Sequence, residues 1–147
     1  MTGRPQQALK KPAGGVIVDC LDATARTDNV QRFMLKSKIH RATLTGTDLH
    51  YEGSITLDRT LMEAAEILPG EQVHVLNLSN GARLVTYAIE AEAGSGTVLL
   101  NGPAARLGVP GDLVVILTYA AYSDQDARQL KPKVVRVDRH NRLRRGR

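Results

Sequence analysis

The chain has 147 residues, enough for one domain around one core, with one cysteine, four tyrosines, one phenylalanine and no tryptophan. A single cysteine excludes an intramolecular disulfide framework and any multi-cysteine zinc site, and so few rings argue against a nucleic-acid binder built on stacking platforms. The formal charge of +5 is uneven: eight Lys or Arg and one Asp stand from Lys131 onward, so residues 1–130 carry a net charge of −2.

Residues 1–33 show no sustained hydrophobic period and are broken by Pro, Gly and polar residues around one apolar patch, VIVDCL. They read as a disordered extension, residues added to the natural chain, or a leader to an alternative start at Met34. No continuous apolar stretch of the signal-peptide kind stands there, and the longest apolar run, LVVILTYAAY at 113–122, is too short to span a bilayer as a helix. The expectation is a cytoplasmic protein with no membrane partner.

From Met34 the pattern changes to short β-type runs between turn signals. The runs are KIHRATLT, SITL, VHVLNL, RLVTYAIEAE, TVLL, LVVILTY and KVVRV; the turns are TGTD, LPGE, SNGA, AGSG, NGPA and GVPGD. Asn80-Gly81 is the strongest hairpin signal. Only TLMEAAEIL at 60–68 reads clearly as a helix, with Leu61, Ala64, Ala65 and Leu68 on one face, Thr60 or Asp58 as the cap, and Pro69-Gly70 as the stop. Weaker helical turns lie at AARLG and SDQDARQL. Many short strands in a compact chain indicate a mainly β fold, a small barrel rather than a parallel α/β sheet. The barrel is expected over residues 34–138. The basic tail, 139–147, is expected to be solvated and frayed.

Most motifs that could carry chemistry are weak. Asn77-Leu78-Ser79 is a formal glycosylation sequon without a secretory context, and GSG at 94–96 lacks the strand–helix setting of a dinucleotide loop. His40, His50, His74 and His140 have no metal-ligand spacing, so no metal site is expected, and no carboxylate pair stands out as an acid–base dyad. Gly53-Ser54 in DLHYEGSITLD is the exception. A serine hydroxyl can attack the carbonyl carbon of its own preceding peptide bond, turning an amide into an ester. The step needs a bent backbone and a donor for the developing oxyanion, and a preceding glycine permits the bend.

KSKIHRATLT…DLHYEGS, NGARLVTYAI, NGPAA and PGDLVVI, in this order and at these intervals, resemble the pyruvoyl-dependent aspartate 1-decarboxylases from about Met34 to about Asp138. The resemblance implies a six-stranded double-psi β-barrel with one or two short helices, and a homotetramer with active sites between subunits. It implies self-cleavage between Gly53 and Ser54, giving a β chain that ends at Gly53 and an α chain whose residue 54 becomes a covalent pyruvoyl group. That cofactor would hold L-aspartate as a Schiff base and release β-alanine and CO2 for pantothenate biosynthesis. By the same resemblance Tyr87 is the proton donor, and Thr86 serves substrate binding and processing. Gly102, Pro103 and Ala104 hold substrate, Arg83 and Lys38 receive its carboxylates, and Asn101 lies near the scissile bond. His40 and Tyr51 support them. Pro103 departs from the alanine usual in the family and has no N–H to donate.

Strand parity bears on part of this set: Arg83 and Tyr87, four apart, share a face, as do Lys38 and His40, whereas Thr86 faces the other way unless the strand is bulged. Two rivals remain: a barrel that keeps the fold without processing, and a binding module that takes nucleic acid through its Arg-rich tail. The near-neutral body and few aromatics weigh against nucleic acid.

Overall fold

The computed structural model describes residues 30–145. The extension, added residues or leader expected over residues 1–33 lies, as far as residue 29, outside the described residues. The described chain is mainly β, with eight strands: β1 (Gln31–Thr43), β2 (Gly46–Asp48), β3 (Ser54–Asp58), β4 (Gln72–Asn77), β5 (Arg83–Ala91), β6 (Val98–Asn101), β7 (Leu113–Ser123) and β8 (Lys133–Arg136). Two short helices, α1 (Arg59–Ala64) and α2 (Asp124–Gln129), and a 3-10 turn, Gly102–Leu107, complete it. The strands form one mixed sheet in the order β2-β6-β3-β5-β4-β7-β1-β8, curled in barrel-like fashion around a single core.

The core comes from the inward positions of those strands. Ile39, Ala42, Ile55, Leu57, Val73, Val75, Ala88, Val98, Val114 and Ile116 are all fully buried. β4 alternates buried and accessible residues along its whole length, as a strand with one face on a core must. Asn80-Gly81 does join antiparallel strands: β4 pairs with β5, Gly81 takes φ +76°, and Asn77 N donates to Ala82 O. Asn77 stays in register with β7, so the connecting loop is longer than a two-residue turn.

Four expectations change. TGTD, read as a turn, contains the three-residue strand β2 paired in parallel with β6, and with KVVRV as β8 the sheet holds eight strands. β1 begins at Gln31, so residues 31–33 belong to the fold rather than to an extension. The helix stops at Ala64. Asp58, not Thr60, caps it by accepting from Thr60 N, and Glu66 then takes φ +52°, which turns the chain so that Ile67 is buried and Leu68 is 70% exposed. The C-terminal segment is not frayed through Arg144: Val137 bridges Leu143, Arg144 N donates to Arg136 O, and Asn141 is buried. Asn141 takes φ +59°, and its side chain accepts from Thr43 N while donating to Thr43 O and Gly96 O, which ties this segment to the β1 end and the β5–β6 turn.

Candidate active site

Ser54 opens β3. Antiparallel pairing with β6 sets it opposite Asn101, the last residue of β6. Ser54 is fully buried, which is unusual for a serine placed next to an exposed glycine. Its Oγ donates to Glu52 O at 3.2 Å and accepts from Asn101 Nδ2 at 2.8 Å. The same amide donates to Thr56 Oγ1 at 2.8 Å. Asn101 therefore spans two hydroxyls that lie two residues apart on one face of β3, and it limits the rotamers open to Ser54.

The chain turns at once after Asn101. Gly102 takes φ +58°, and a Cβ on it would stand 2.8 Å from Gly53 Cα, Gly53 N and Tyr51 O. All three are backbone atoms that cannot move aside, so only glycine allows the 3-10 turn to press against the 51–53 backbone. Pro103 follows, its Cδ 3.1 Å from where a Gly53 Cβ would lie. Its ring packs against the exposed side of the Gly53-Ser54 junction, and its missing N–H falls where a helical turn leaves donors unpaired in any case.

Beside Gly53 lies a cavity of about 280 Å³ walled by Leu84, Val85, Thr86, Pro103, Ala104 and Leu107. Thr86 reaches it because β5 pairs with β4 in unbroken register from Gln72–Tyr87 to Leu76–Arg83. With no bulge, Leu84 and Thr86 are half-buried while Arg83, Val85 and Tyr87 are exposed on the other face. Thr86 alternates with Arg83 and Tyr87 along β5 and lines the cavity at Gly53, as Val85 does too.

One chain thus gathers Gly53, Ser54, Thr86, Asn101, Gly102, Pro103 and Ala104, with Tyr51 contributing its backbone while its residue is 51% exposed. The rest make no hydrogen bond to that group among the described residues, although Tyr87 directly precedes Ala88, the register partner of Ile55. Arg83 and Tyr87 lie on the outer face of β5. Lys38 and His40 lie on β1, opposite Val134 and Arg136 of β8. Among the described residues no hydrogen bond links any of these four to Ser54. His40 is half-buried with Nδ1 enclosed and unpartnered. Burial, then the charges of Lys38, Arg136 and Arg41, hold its pKa below the usual 6.5. Thr56 was missed in the sequence, although its position two residues beyond Ser54 on a strand was signal enough to place both hydroxyls on one face. Among the described residues no group of three or more His, Cys, Asp or Glu could hold a metal ion. No helix there is long and apolar enough to cross a membrane.

Fold and site together define a small β-barrel with a buried serine held at a glycine–serine junction beside a cavity. The aspartate decarboxylase family model matches residues 30–144, so the chain belongs to that family. It is 58% identical over 113 residues to the aspartate 1-decarboxylase of Thermoanaerobacter pseudethanolicus, a match spanning 77% of this chain and 97% of that protein. It is also 58% identical over 113 residues to the aspartate 1-decarboxylase of Syntrophobacter fumaroxidans, spanning 77% and 91% of the two chains.

Proposed function

We propose that the chain cleaves itself between Gly53 and Ser54 and, so processed, converts L-aspartate to β-alanine and CO2 in the cytoplasm, for pantothenate biosynthesis. The observation that carries the reading is the contact at the junction: a buried Ser54 Oγ held by Asn101, beside a glycine backed by Gly102 and Pro103. Family membership and the two relatives' names support the substrate.

In processing, Ser54 Oγ attacks the Gly53 carbonyl carbon and the Gly53–Ser54 amide becomes an ester, leaving the Ser54 amine free. Thr86, on the cavity wall beside Gly53, is the hydroxyl placed to donate to the developing oxyanion. Loss of the Ser54 Cα proton expels the Gly53 carboxylate and leaves dehydroalanine at 54. Water then enters, ammonia leaves, and a pyruvoyl group caps the second chain. The surroundings of Ser54 fit that group: one donor, Asn101 Nδ2, and one acceptor, Glu52 O, converge on its side chain, and the neighbouring cavity is open to a small amino acid.

When formed, the pyruvoyl group supplies the electron sink that decarboxylation of an amino acid needs and that no protein side chain provides. The chain's own residues do the rest. Arg83 offers a planar fork to one substrate carboxylate, and Lys38 offers a point charge to the other. The Tyr87 phenol holds the proton delivered to carbon after CO2 has left. Gly102, Pro103 and Ala104 shape the wall against which substrate lies. Lys38, Arg83 and Tyr87 make no hydrogen bond to Ser54 among the described residues, and Arg83 and Tyr87 are exposed on β5, so a second copy laid over that face completes the site, as in a homotetramer. The exposed apolar residues Val85 beside Tyr87 on β5, and Phe33 and Tyr119 on β1 and β7, support such a contact.

The test is release of labelled CO2 from L-aspartate carrying the label in its α-carboxyl group. Wild-type protein should release it and form β-alanine in equal amount; Ser54→Ala should stay uncut and release none. Cleaved wild-type protein that leaves aspartate unchanged would overturn the substrate assignment.

A further inference from the structure

A second concavity lies on the far side of the sheet order from Ser54, where β1 meets β8 and the C-terminal segment folds back. It encloses about 350 Å³, within the range of small-ligand sites, and its polar lining is dominated by His40, Arg41, Arg136, Asp138, Arg139 and Arg144.

The backbone positions of these cations are fixed, while the arginine residues themselves are exposed around the concavity. Arg136 stands opposite His40 in the parallel β1–β8 register. Arg144 is tied back by its N–H on Arg136 O, and the segment between them is anchored by buried Asn141. Arg41 sits in the bulge between Ile39 and Ala42 with φ +59°, a left-handed conformation that only strong surrounding structure imposes on an arginine. A bulge there turns the Arg41 side chain away from the regular alternation of β1, toward the cavity it lines.

The cavity is short of negative charge. Asp138 is its one acid, and its Oδ1 already accepts from His140 N and Arg142 N. Among the described residues, no ion pair joins Arg41, Arg136, Arg139 or Arg144 to a carboxylate, whereas Arg32, Lys36, Arg59, Arg128 and Lys133 all have one. His40 adds an enclosed Nδ1 that lacks a partner. Several guanidinium forks converging on one concavity present more donors than the protein itself uses.

We propose that this cavity is a binding site for a small phosphate-bearing anion, gripped by Arg41, Arg136 and Arg144 with His40 at its base. Phosphate fits better than carboxylate because a tetrahedral dianion offers acceptor oxygens to several forks at once, where a carboxylate satisfies one. A small ligand fits better than a nucleic acid because the cations line one open concavity of small-ligand volume, while residues 1–130 carry a net −2. The site shares no lining residue with the cavity at Gly53, apart from the role that His40 would have there through a neighbouring copy.

The experiment is titration calorimetry of the full chain with inorganic pyrophosphate as probe, at low and moderate salt. Saturable binding at one site per chain is expected, and equally in Ser54→Ala, so that the outcome does not depend on self-cleavage or decarboxylation. Arg41→Gln and Arg144→Gln should each weaken binding by about tenfold or more, the scale of a lost charge-assisted fork. Arg144 is held through its backbone N–H, so its variant keeps the fold even if Arg41→Gln does not. Lys131→Gln, outside the cavity, should bind as wild type. Absence of saturable binding, or unchanged affinity in Arg144→Gln, would overturn the site. Succinate binding as tightly as pyrophosphate would overturn the phosphate assignment. A short RNA that binds far more tightly, with a salt dependence of many charges, would show a polyelectrolyte surface instead and overturn the small-ligand reading.

Discussion

Replacing Asn101 with alanine removes the amide that spans Ser54 Oγ and Thr56 Oγ1, each at 2.8 Å. Two consequences can be sized. The first is stability. A buried neutral hydrogen bond contributes about 1 kcal/mol net, and a buried group left unsatisfied costs about 1–3 kcal/mol. Ser54 Oγ keeps its bond to Glu52 O and Thr56 is only half-buried, so a loss of about 1–2 kcal/mol is expected, roughly 3–6 °C in melting temperature at this chain length. The second is processing. Freed from Asn101, Ser54 has up to three staggered rotamers, and the attacking one is no longer selected, which is worth a factor of about 3. Loss of the polar contact at the reacting oxygen adds about 1 kcal/mol to the barrier. Together self-cleavage should slow by roughly 10- to 50-fold, since about 1.4 kcal/mol is tenfold in rate. The assay is a time course of freshly made precursor resolved into cut and uncut chains. Thr56→Val should slow cleavage by only about 3-fold, and the double variant should be less than additive, because both remove parts of one network. Asn101→Ala cleaving at the wild-type rate, with its fold intact, would refute the positioning role.

Further outcomes follow from the same geometry. Tyr87→Phe should leave cleavage untouched, since among the described residues the Tyr87 phenol makes no hydrogen bond to Gly53 or Ser54, yet lower kcat about 100-fold or more as expected for a lost proton donor; full kcat would remove Tyr87 from that role. Pro103→Ala restores a backbone N–H beside the cavity and should lower the KM for aspartate about 3- to 10-fold, the scale of one added hydrogen bond; an unchanged KM would show that substrate does not meet that position. Asp58 is buried, and burial alone would raise its pKa, but donation from the backbone of Gly96, Gly94 and Thr60 outweighs it and holds the carboxyl below its ordinary 3.8. Its folded pKa lies below its unfolded one, so its contribution is present at neutral pH and is lost as pH falls through the folded value. The urea midpoint of wild type should therefore decline below about pH 5, and Asp58→Asn should be less stable at pH 7 with a flatter acid limb; parallel curves would contradict this.

The strands were legible where apolar alternation was long and β-branched, as in VHVLNL and RLVTYAIEAE, because a one-sided sheet leaves that pattern directly in the residues. β2 was not: three residues of Gly, Thr and Asp form it only because β6 lies alongside. The fate of Leu68 was misread because helical periodicity was carried past Ala64, where Glu66 leaves the helix for a left-handed conformation that its side chain does not announce. The tail was misread for a different reason. Its arginines suggest a solvated segment, and most are indeed exposed, but Asn141 among them is an internal tie whose partners lie far away in sequence. At the site, Gly53, Ser54 and the NGPAA segment stood out in the sequence through resemblance, and the packing of Gly102 on Gly53 gives the physical reason for the glycine. Lys38, Arg83 and Tyr87 were named by the same resemblance; Tyr87 stands beside Ser54 in the β3–β5 register, yet none of the three hydrogen-bonds to it among the described residues.

The measurement closest to the central claim is an intact mass spectrum of the purified protein under denaturing conditions. Two chains divided between Gly53 and Ser54 are expected, the second lighter by one ammonia than a chain beginning with serine. A single uncut chain that persists on incubation, or a second chain that begins with plain serine, would contradict it.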